Sequence, residues 1–302
     1  MSRSFMLILL KICKMFVELI PVKKIRRMLR HKIKNTVLKI NTPKDKDFTK
    51  IKANFLFEKE ALQYIVKNKC SVSRYGDGEI GFLLFDNFKH FFQPYNKELQ
   101  DKLKFILKNP IDSCLICLPK WMFYPSNIQW YKRCQAMYFF AFKKYILDNY
   151  KYGSANIFTS ESFDQGNYDD IIKIWKNKPV VIITGKNSAF IEDDRLFKKE
   201  KIIKVIETKA VDAFSDYDNI ISQILNDKNI TKDCVIVASL GLTATVLAYD
   251  LSKLGYRCID IGNVTNAYKY FMKEMPAADD LRITGDFVDG VTDIKKFIKK
   301  KN

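Results

Sequence analysis

Residues 234–251 read Cys234-Val235-Ile236-Val237-Ala238-Ser239-Leu240-Gly241-Leu242-Thr243-Ala244-Thr245-Val246-Leu247-Ala248-Tyr249-Asp250-Leu251. The first six residues form an apolar run without polar alternation, the pattern of a strand buried on both faces. Gly241 then turns the chain, and the residues after it carry the composition of a buried helix that opens with two threonines. A second β-rich run at 257–261 follows Gly255. Strand, helix and strand in this order make a parallel βαβ unit.

The same alternation extends along the chain. Short β-rich runs at 70–74, 113–118, 155–159, 180–184, 202–206, 234–239 and 257–261 are separated by helical patterns near 96–108, 127–148, 168–176, 217–226, 243–254 and 266–275. The expected fold is α/β, a mostly parallel sheet with helices on both faces. Such sheets bind ligands beyond the C-terminal ends of their strands. The chain has 302 residues, 47% hydrophobic and 14% aromatic, enough apolar material for a sizeable core. Seven cysteines, several within apolar runs, read as reduced, buried thiols of a cytosolic protein. Cys114 and Cys117 form one CxxC, but with no second pair and only His31 and His90 as histidines a zinc site is not expected.

Net charge is +18, and residues 1–40 hold eleven Lys and Arg against the single acid Glu18, so +10 of it lies there. The apolar run Phe5-Met6-Leu7-Ile8-Leu9-Leu10 stops at Lys11, far short of the ~20 residues that span a bilayer. Lys11, Lys14 and Glu18 share one helical face, and Ile8, Leu9, Ile12, Phe16, Leu19 and Ile20 populate the other. After Pro21 comes the basic cluster Lys23-Lys24-Ile25-Arg26-Arg27-Met28-Leu29-Arg30. Amphipathic helices with cationic flanks suit an anionic membrane surface, where each basic side chain contributes about 1 kcal/mol. No small-residue cleavage site follows, which sets a secretory signal aside. Residues 1–43 are thus expected to be a membrane-association segment and linker, and 44–302 the functional domain. The alternative is that these helices pack on that domain. A cytoplasmic protein, peripheral on the inner face of the membrane and without a nucleic-acid partner, is the expectation.

Three strand ends carry candidate chemistry. In Ser73-Arg74-Tyr75-Gly76-Asp77-Gly78-Glu79 two carboxylates stand one residue apart in a glycine-rich turn. Asp-x-Glu after a strand suits Mg²⁺ or Mn²⁺, with diphosphate oxygens completing the coordination, and Arg74 supplies a bidentate phosphate contact. On spacing alone an ordinary Asp-Gly surface turn is the commoner reading. At Ser239–Thr245 the free N–H groups of a helix start offer a phosphate or nucleotide site, or Thr243 simply caps the helix. Ile183-Thr184-Gly185-Lys186-Asn187-Ser188 lacks the upstream glycine of a P-loop, and no GxGxxG follows any strand. Neither histidine is positioned for a hydrolase triad, and His90 reads as packed or partly exposed.

Together these segments resemble the GT-D fold glycosyltransferases, a bacterial family with a Rossmann-like domain and an Asp-x-Glu metal motif. The resemblance rests on Arg74–Glu79, on Leu115-Ile116-Cys117-Leu118-Pro119, on Asp212-Ala213-Phe214-Ser215-Asp216-Tyr217-Asp218, and on 240–251 running to Gly255-Tyr256-Arg257-Cys258-Ile259-Asp260-Ile261-Gly262. It implies transfer of a sugar from a nucleotide donor, UDP-sugars above all, to a surface glycan or glycoprotein acceptor, lipid-linked or protein-linked. By the resemblance Asp77 and Glu79 hold the metal, while Arg74, Gly76, Lys186, Asp212, Phe214, Tyr217, Gly241, Thr243, Thr245 and Asn263 surround the nucleotide sugar. The chain departs from the family pattern at Leu242, where proline is usual, at Asn263, where histidine is usual, at Thr265, Ala267 and Lys269, which replace acidic positions, and at Ala189, which stands for an arginine unless Lys186 or Arg195 takes its place. Asp260, Asp194 and Asp216 are then the carboxylates expected to substitute as general base. The alternatives are a sugar-phosphate or nucleotidyl transferase, or a non-catalytic nucleotide-binding or scaffold protein of the same fold.

Overall fold

The computed structural model describes residues 3–188, 195–197 and 201–274. Its strands are β1 (Asn54–Leu56), β2 (Ser71–Arg74), β3 (Cys114–Leu118), β4 (Lys151–Ser154), β5 (Val180–Gly185), β6 (Ile202–Thr208), β7 (Val235–Ser239) and β8 (Arg257–Asp260). Its helices are α1 (Arg3–Glu18), α2 (Lys23–Asn41), α3 (Asp45–Phe48), α4 (Glu58–Asn68), α5 (Asp77–Leu84), α6 (Lys97–Lys108), α7 (Gln129–Phe142), α8 (Ser160–Asp164), α9 (Tyr168–Lys173), α10 (Tyr217–Asn226), α11 (Leu242–Lys253) and α12 (Val264–Phe271).

The chain divides into two compact units, one of residues 1–52 and 121–148, the other of 53–120 and 149–302. In the first, α1 packs on α2 and α2 on α7, while Phe48 meets Phe139 edge-on with ring centroids 4.8 Å apart. Among the described residues no helix is long and apolar enough to cross a membrane.

The second unit is built on one sheet of eight strands in the order β1-β4-β3-β2-β8-β7-β5-β6, and all its pairings are parallel. Strand alternation sends Val72, Leu115, Cys117, Val180, Ile182, Val235, Val237 and Ile259 into the core shared with Ala61, Leu62 and Ile65 of α4. The opposite face is covered by α11, which packs on β2, β7 and β8 and is backed by α6. Helix α11 is buried almost all round, which explains why its sequence shows no polar face. The expected parallel α/β sheet with helices on both faces is the fold that forms.

Three expectations need correcting. The run 155–159 is not a strand: β4 ends at Ser154, whose hydroxyl accepts from Asn156 N–H at 3.2 Å and starts a 3-10 turn that buries Ala155, Ile157 and Phe158. An apolar run bounded by turn residues does not by itself distinguish these outcomes. The Asp77-Gly78-Glu79 segment is not a free turn but the first turn of α5. Strand β1 and helix α4 were not expected at all.

Between β2 and β8 the ladder narrows to one residue pair, Val72 against Ile259. Side chains take over on either side of it. Ser71 Oγ accepts from Cys258 N–H at 2.9 Å and donates to Tyr256 O at 3.3 Å, and Arg74 N–H donates to Asp260 Oδ2 at 3.3 Å. Ser73 Oγ donates to Thr245 O at 2.8 Å, pinning α11 onto this seam. A buried N–H deprived of its acceptor costs about 1–3 kcal/mol. Ser71→Ala is therefore expected to lower unfolding free energy by roughly that amount in urea titration. An unchanged midpoint and slope would contradict the seam.

Candidate active site

The C-terminal end of β2 runs straight into α5. Gly76 is the N-cap, and Glu79 folds back so that Oε2 accepts from Gly76 N–H at 2.8 Å, half of a capping box. A Cβ at Gly76 would stand 3.0 Å from that same oxygen, so a larger residue there would make the Glu79 carboxylate shift by a few tenths of an ångström. Burial raises the Glu79 carboxyl above its ordinary range, against its hydrogen bonds to backbone N–H, while Asp77 adds to the rise. Asp77 and Glu79 are both half-buried. Asp77 makes no hydrogen bond to the described residues, so its oxygens are available to a cation. No cluster of three or more His, Cys, Asp or Glu able to hold a metal occurs among the described residues. Two hard carboxylates on one helix turn, that of Asp77 without a hydrogen bond to the described residues, nevertheless fit Mg²⁺ or Mn²⁺, which commonly take one or two carboxylates together with phosphate and water oxygens.

Next to this pair lies Arg74. Its guanidinium stacks over Phe158, 5.6 Å from the ring centroid, and a Cβ on Gly262 would come within 2.5 Å of Nη2. Gly262 also has φ +52, so a larger residue there would be both strained and in collision with Arg74. Asp260 completes the group. Its Oδ1 accepts from Gly262 N–H at 3.1 Å, its Oδ2 from Arg74 N–H, and Thr245 Oγ1 lies 3.1 Å from Oδ2 and 2.9 Å from Arg74 O. Burial pushes the Asp260 carboxyl up to about 6, with the Arg74 charge opposing and the Glu79 charge assisting. With both oxygens engaged and only 4% of the residue exposed, Asp260 holds Arg74 and the Gly262 turn instead of facing an acceptor.

Five buried side-chain atoms are without a hydrogen-bond partner among the described residues: Arg74 Nε and Nη1, Thr184 Oγ1, Thr243 Oγ1 and Thr265 Oγ1. All belong to the same edge. Arg74 and Thr184 lie at the ends of β2 and β5, and Thr243 and Thr265 in the first turns of α11 and α12. Orphaned buried polar atoms each cost free energy, so their gathering at strand ends marks a place where a polar ligand would offset that cost. Thr243 does not cap α11, since the N-cap is Gly241 and no side chain caps there. Gly241 itself has φ +54 and open space where a Cβ would be, leaving the backbone accessible to a ligand. The chain leaves β5 for β6 and β7 for β8 in opposite directions, so this turn also borders the sheet's topological switch point.

The remaining expected residues are distributed differently. Asp212, with φ +63, receives Gln93 Nε2 at 2.7 Å and donates its N–H to Phe92 O at 2.7 Å. Gln93 also accepts from Phe214 N–H at 3.2 Å, and both Gln93 and Phe214 are buried. The Tyr217 hydroxyl is spent on Asp250 at 2.7 Å. Asp216 accepts from Thr208 Oγ1 at 2.7 Å and Asn219 Nδ2 at 3.1 Å, so both its oxygens are occupied. Lys186 is exposed just past β5, and Asn263 is exposed at the start of α12 without a side-chain cap. Asp194 and Ala189 lie outside the described residues.

One contributor, Gln93, escaped the sequence reading, whereas His90 is half-buried as that reading had it. Gln93 ties the 212–214 loop to the segment after α5, and no local pattern announces a buried glutamine. His90 Nε2 stands 3.0 Å from where a Cβ on Gly78 would be, and its Nδ1 accepts from Phe92 N–H at 3.3 Å. Burial lowers the His90 pKa, with Asp77 pulling the other way.

A parallel sheet with a carboxylate pair, a guanidinium with unpaired nitrogens and free helix starts at its C-terminal edge places these groups where α/β proteins of this class bind their ligands. The chain belongs to the glycosyltransferase GT-D fold family, whose model matches residues 72–288. It is 26% identical over 223 residues to the glycosyltransferase GlyD of Streptococcus pneumoniae serotype 4, covering 70% of this chain and 27% of that protein. It is 25% identical over 239 residues to the probable glycosyl transferase Gly of Streptococcus gordonii, covering 74% and 34%. The chain thus spans about a third or less of these relatives. A solved structure described as the highly conserved domain of unknown function 1792 with a distinct glycosyltransferase fold superposes with TM-score 0.65 at 26% identity, covering 77% of this chain and 86% of that one. Another, described as a new glycosyltransferase (DUF1792) from Streptococcus sanguinis, gives 0.63 at 25%, covering 74% and 85%.

The Asp260 carboxyl holds its proton more tightly in the folded chain than in the unfolded one. Its stabilising contribution is therefore complete below about pH 4 and lost as pH rises through about 6. Over that window the wild type is expected to lose about 2–3 kcal/mol relative to Asp260→Asn, read as unfolding free energy against pH. A wild type that gains on the variant over the same window would contradict the burial of this group.

Proposed function

We propose that this chain is a metal-dependent hexosyltransferase that moves a sugar from a nucleotide donor, a UDP-sugar, to a surface-glycan or glycoprotein acceptor. The observation that carries the reading is the gathering of orphaned polar atoms around Arg74 beside the Asp77 and Glu79 carboxylates. Family membership and the transferase names of the relatives support it.

On this reading the unpaired Arg74 N–H groups bind the donor diphosphate, and Asp260 and Thr245 keep the guanidinium and its backbone oriented. Asp77 and Glu79 would hold Mn²⁺ or Mg²⁺, which supplies Lewis-acid neutralisation of the departing nucleoside diphosphate. Gly241 brings bare backbone, and Thr243 and Thr184 hydroxyl groups, to the nucleotide side. Asp212 and Phe214 shape the loop beside it, held by Gln93. The acceptor is a lipid-linked or protein-linked glycan, and residues 1–40 keep the enzyme peripheral on the cytoplasmic face of an anionic membrane.

Titrating UDP with and without Mn²⁺ tests the site. Binding is expected to need the metal, to vanish in Asp77→Asn/Glu79→Gln, and to weaken about tenfold to a hundredfold in Arg74→Gln. Unchanged affinity in these variants refutes the assignment. A parallel screen of UDP-, GDP- and CMP-sugars should yield slow release of free sugar from the UDP donor. Release of sugar 1-phosphate in its place would mark nucleotidyl transfer.

A further inference from the structure

We propose that α1 lies in the plane of an anionic lipid surface on one defined face, with Met15, Phe16 and Leu19 seated among the acyl chains. The inference deepens the membrane placement proposed above and rests on it, while standing apart from the transfer chemistry.

Helix α1 is apolar on two opposite sides. Val17, 8% exposed, faces inward within the unit that contains α2 and α7, and Leu10 shares that side. On the other side Ile8, Ile12, Met15, Phe16 and Leu19 are 57%, 44%, 70%, 66% and 77% exposed. At about 100° per residue the four on α1 fall within roughly 100° of the helix circumference, a continuous stripe, and Leu19 follows in the turn just past its end. Scattered exposed apolar residues are ordinary, but a contiguous stripe marks an interaction surface. Beyond Pro21, Val22 and Ile25 are also 51% and 44% exposed.

Charge selects the occupant. Lys11 borders the stripe on α1, Lys14 is exposed farther round the helix, and Lys23, Lys24 and Arg27 are exposed on α2. The single acid of the first forty residues, Glu18, is taken up by Arg30, whose Nε donates to it at 2.9 Å, so no free carboxylate there opposes anionic headgroups. Docking a second copy through this face would set +10 against +10, whereas phosphate headgroups beside an acyl layer match both the cations and the stripe. Sixteen residues of helix, about 24 Å long and flanked by cations, suit the interfacial plane and not a crossing.

Full-length protein floated with vesicles of equimolar phosphatidylglycerol and phosphatidylcholine tests this. The wild type is expected to co-float, and Phe16→Ser/Leu19→Ser to bind about tenfold more weakly or worse. Both positions are mostly exposed, so the variant should keep its circular dichroism and its UDP-sugar hydrolysis. Equal binding to phosphatidylcholine alone, undiminished binding by the variant, or no flotation together with self-association that the variant abolishes would each overturn the proposal. A wild type that floats but hydrolyses no nucleotide sugar leaves it intact and overturns the transfer reading alone.

Discussion

Val72 and Ile259 form the one ladder pair between β2 and β8, and the two halves of the sheet are otherwise joined there by side chains. Parallel strands hold each other through evenly spaced backbone bonds, and where those stop the free N–H and C=O groups need other partners. Ser71 serves the N-terminal side, and Asp260 and Thr245 serve the C-terminal side, where they receive Arg74 N–H and serve Arg74 O. The strands part just where ligands bind in this class of sheet. The device that repairs the ladder is therefore also the floor of the candidate site.

That dual role explains the electrostatics. A buried aspartate that only repaired a strand end would be balanced by its own hydrogen bonds. Asp260 is instead held between the Arg74 charge, which favours its ionised form, and burial together with Glu79, which disfavour it. Arg74 in turn keeps two nitrogens unpaired. The arrangement is stable enough to fold, yet retains unmet hydrogen-bonding capacity for an anion. A cation held by Asp77 and Glu79 together with a diphosphate would relieve the carboxylate crowding and satisfy the guanidinium at once.

Much of this was legible in the residues. The apolar runs at 70–74, 113–118, 180–184, 234–239 and 257–261 fall on strands because parallel strands buried on both faces favour continuous apolar residues, and 202–206 falls on the edge strand β6, whose exposure alternates. Strand β1 escaped because it is three residues at a sheet edge, and α4 because Glu58-Lys59-Glu60 reads as solvent-facing although Glu58 is buried against Ser154 Oγ at 2.8 Å. The first turn of α5 escaped because Asp-Gly signals a turn wherever it stands, and only the return of Glu79 to Gly76 N–H makes it a helix start. Carboxylates, arginine and threonines were visible as residue types. What one sequence did not reveal was which were already spent: Asp216 on Thr208, Tyr217 on Asp250, and Thr245 on the seam itself. Those are long-range pairings, set by the strand order and not by local spacing.

The central claim is that Arg74, unpaired at the β2–β8 seam, is the anchor for a donor diphosphate. A crystal structure of the chain with UDP and Mn²⁺ tests it most directly. The account predicts diphosphate oxygens within hydrogen-bond distance of Arg74 Nε or Nη1, and the cation against Asp77 and Glu79. Nucleotide bound elsewhere, with the Arg74 guanidinium still unpaired beside Gly262, would contradict it.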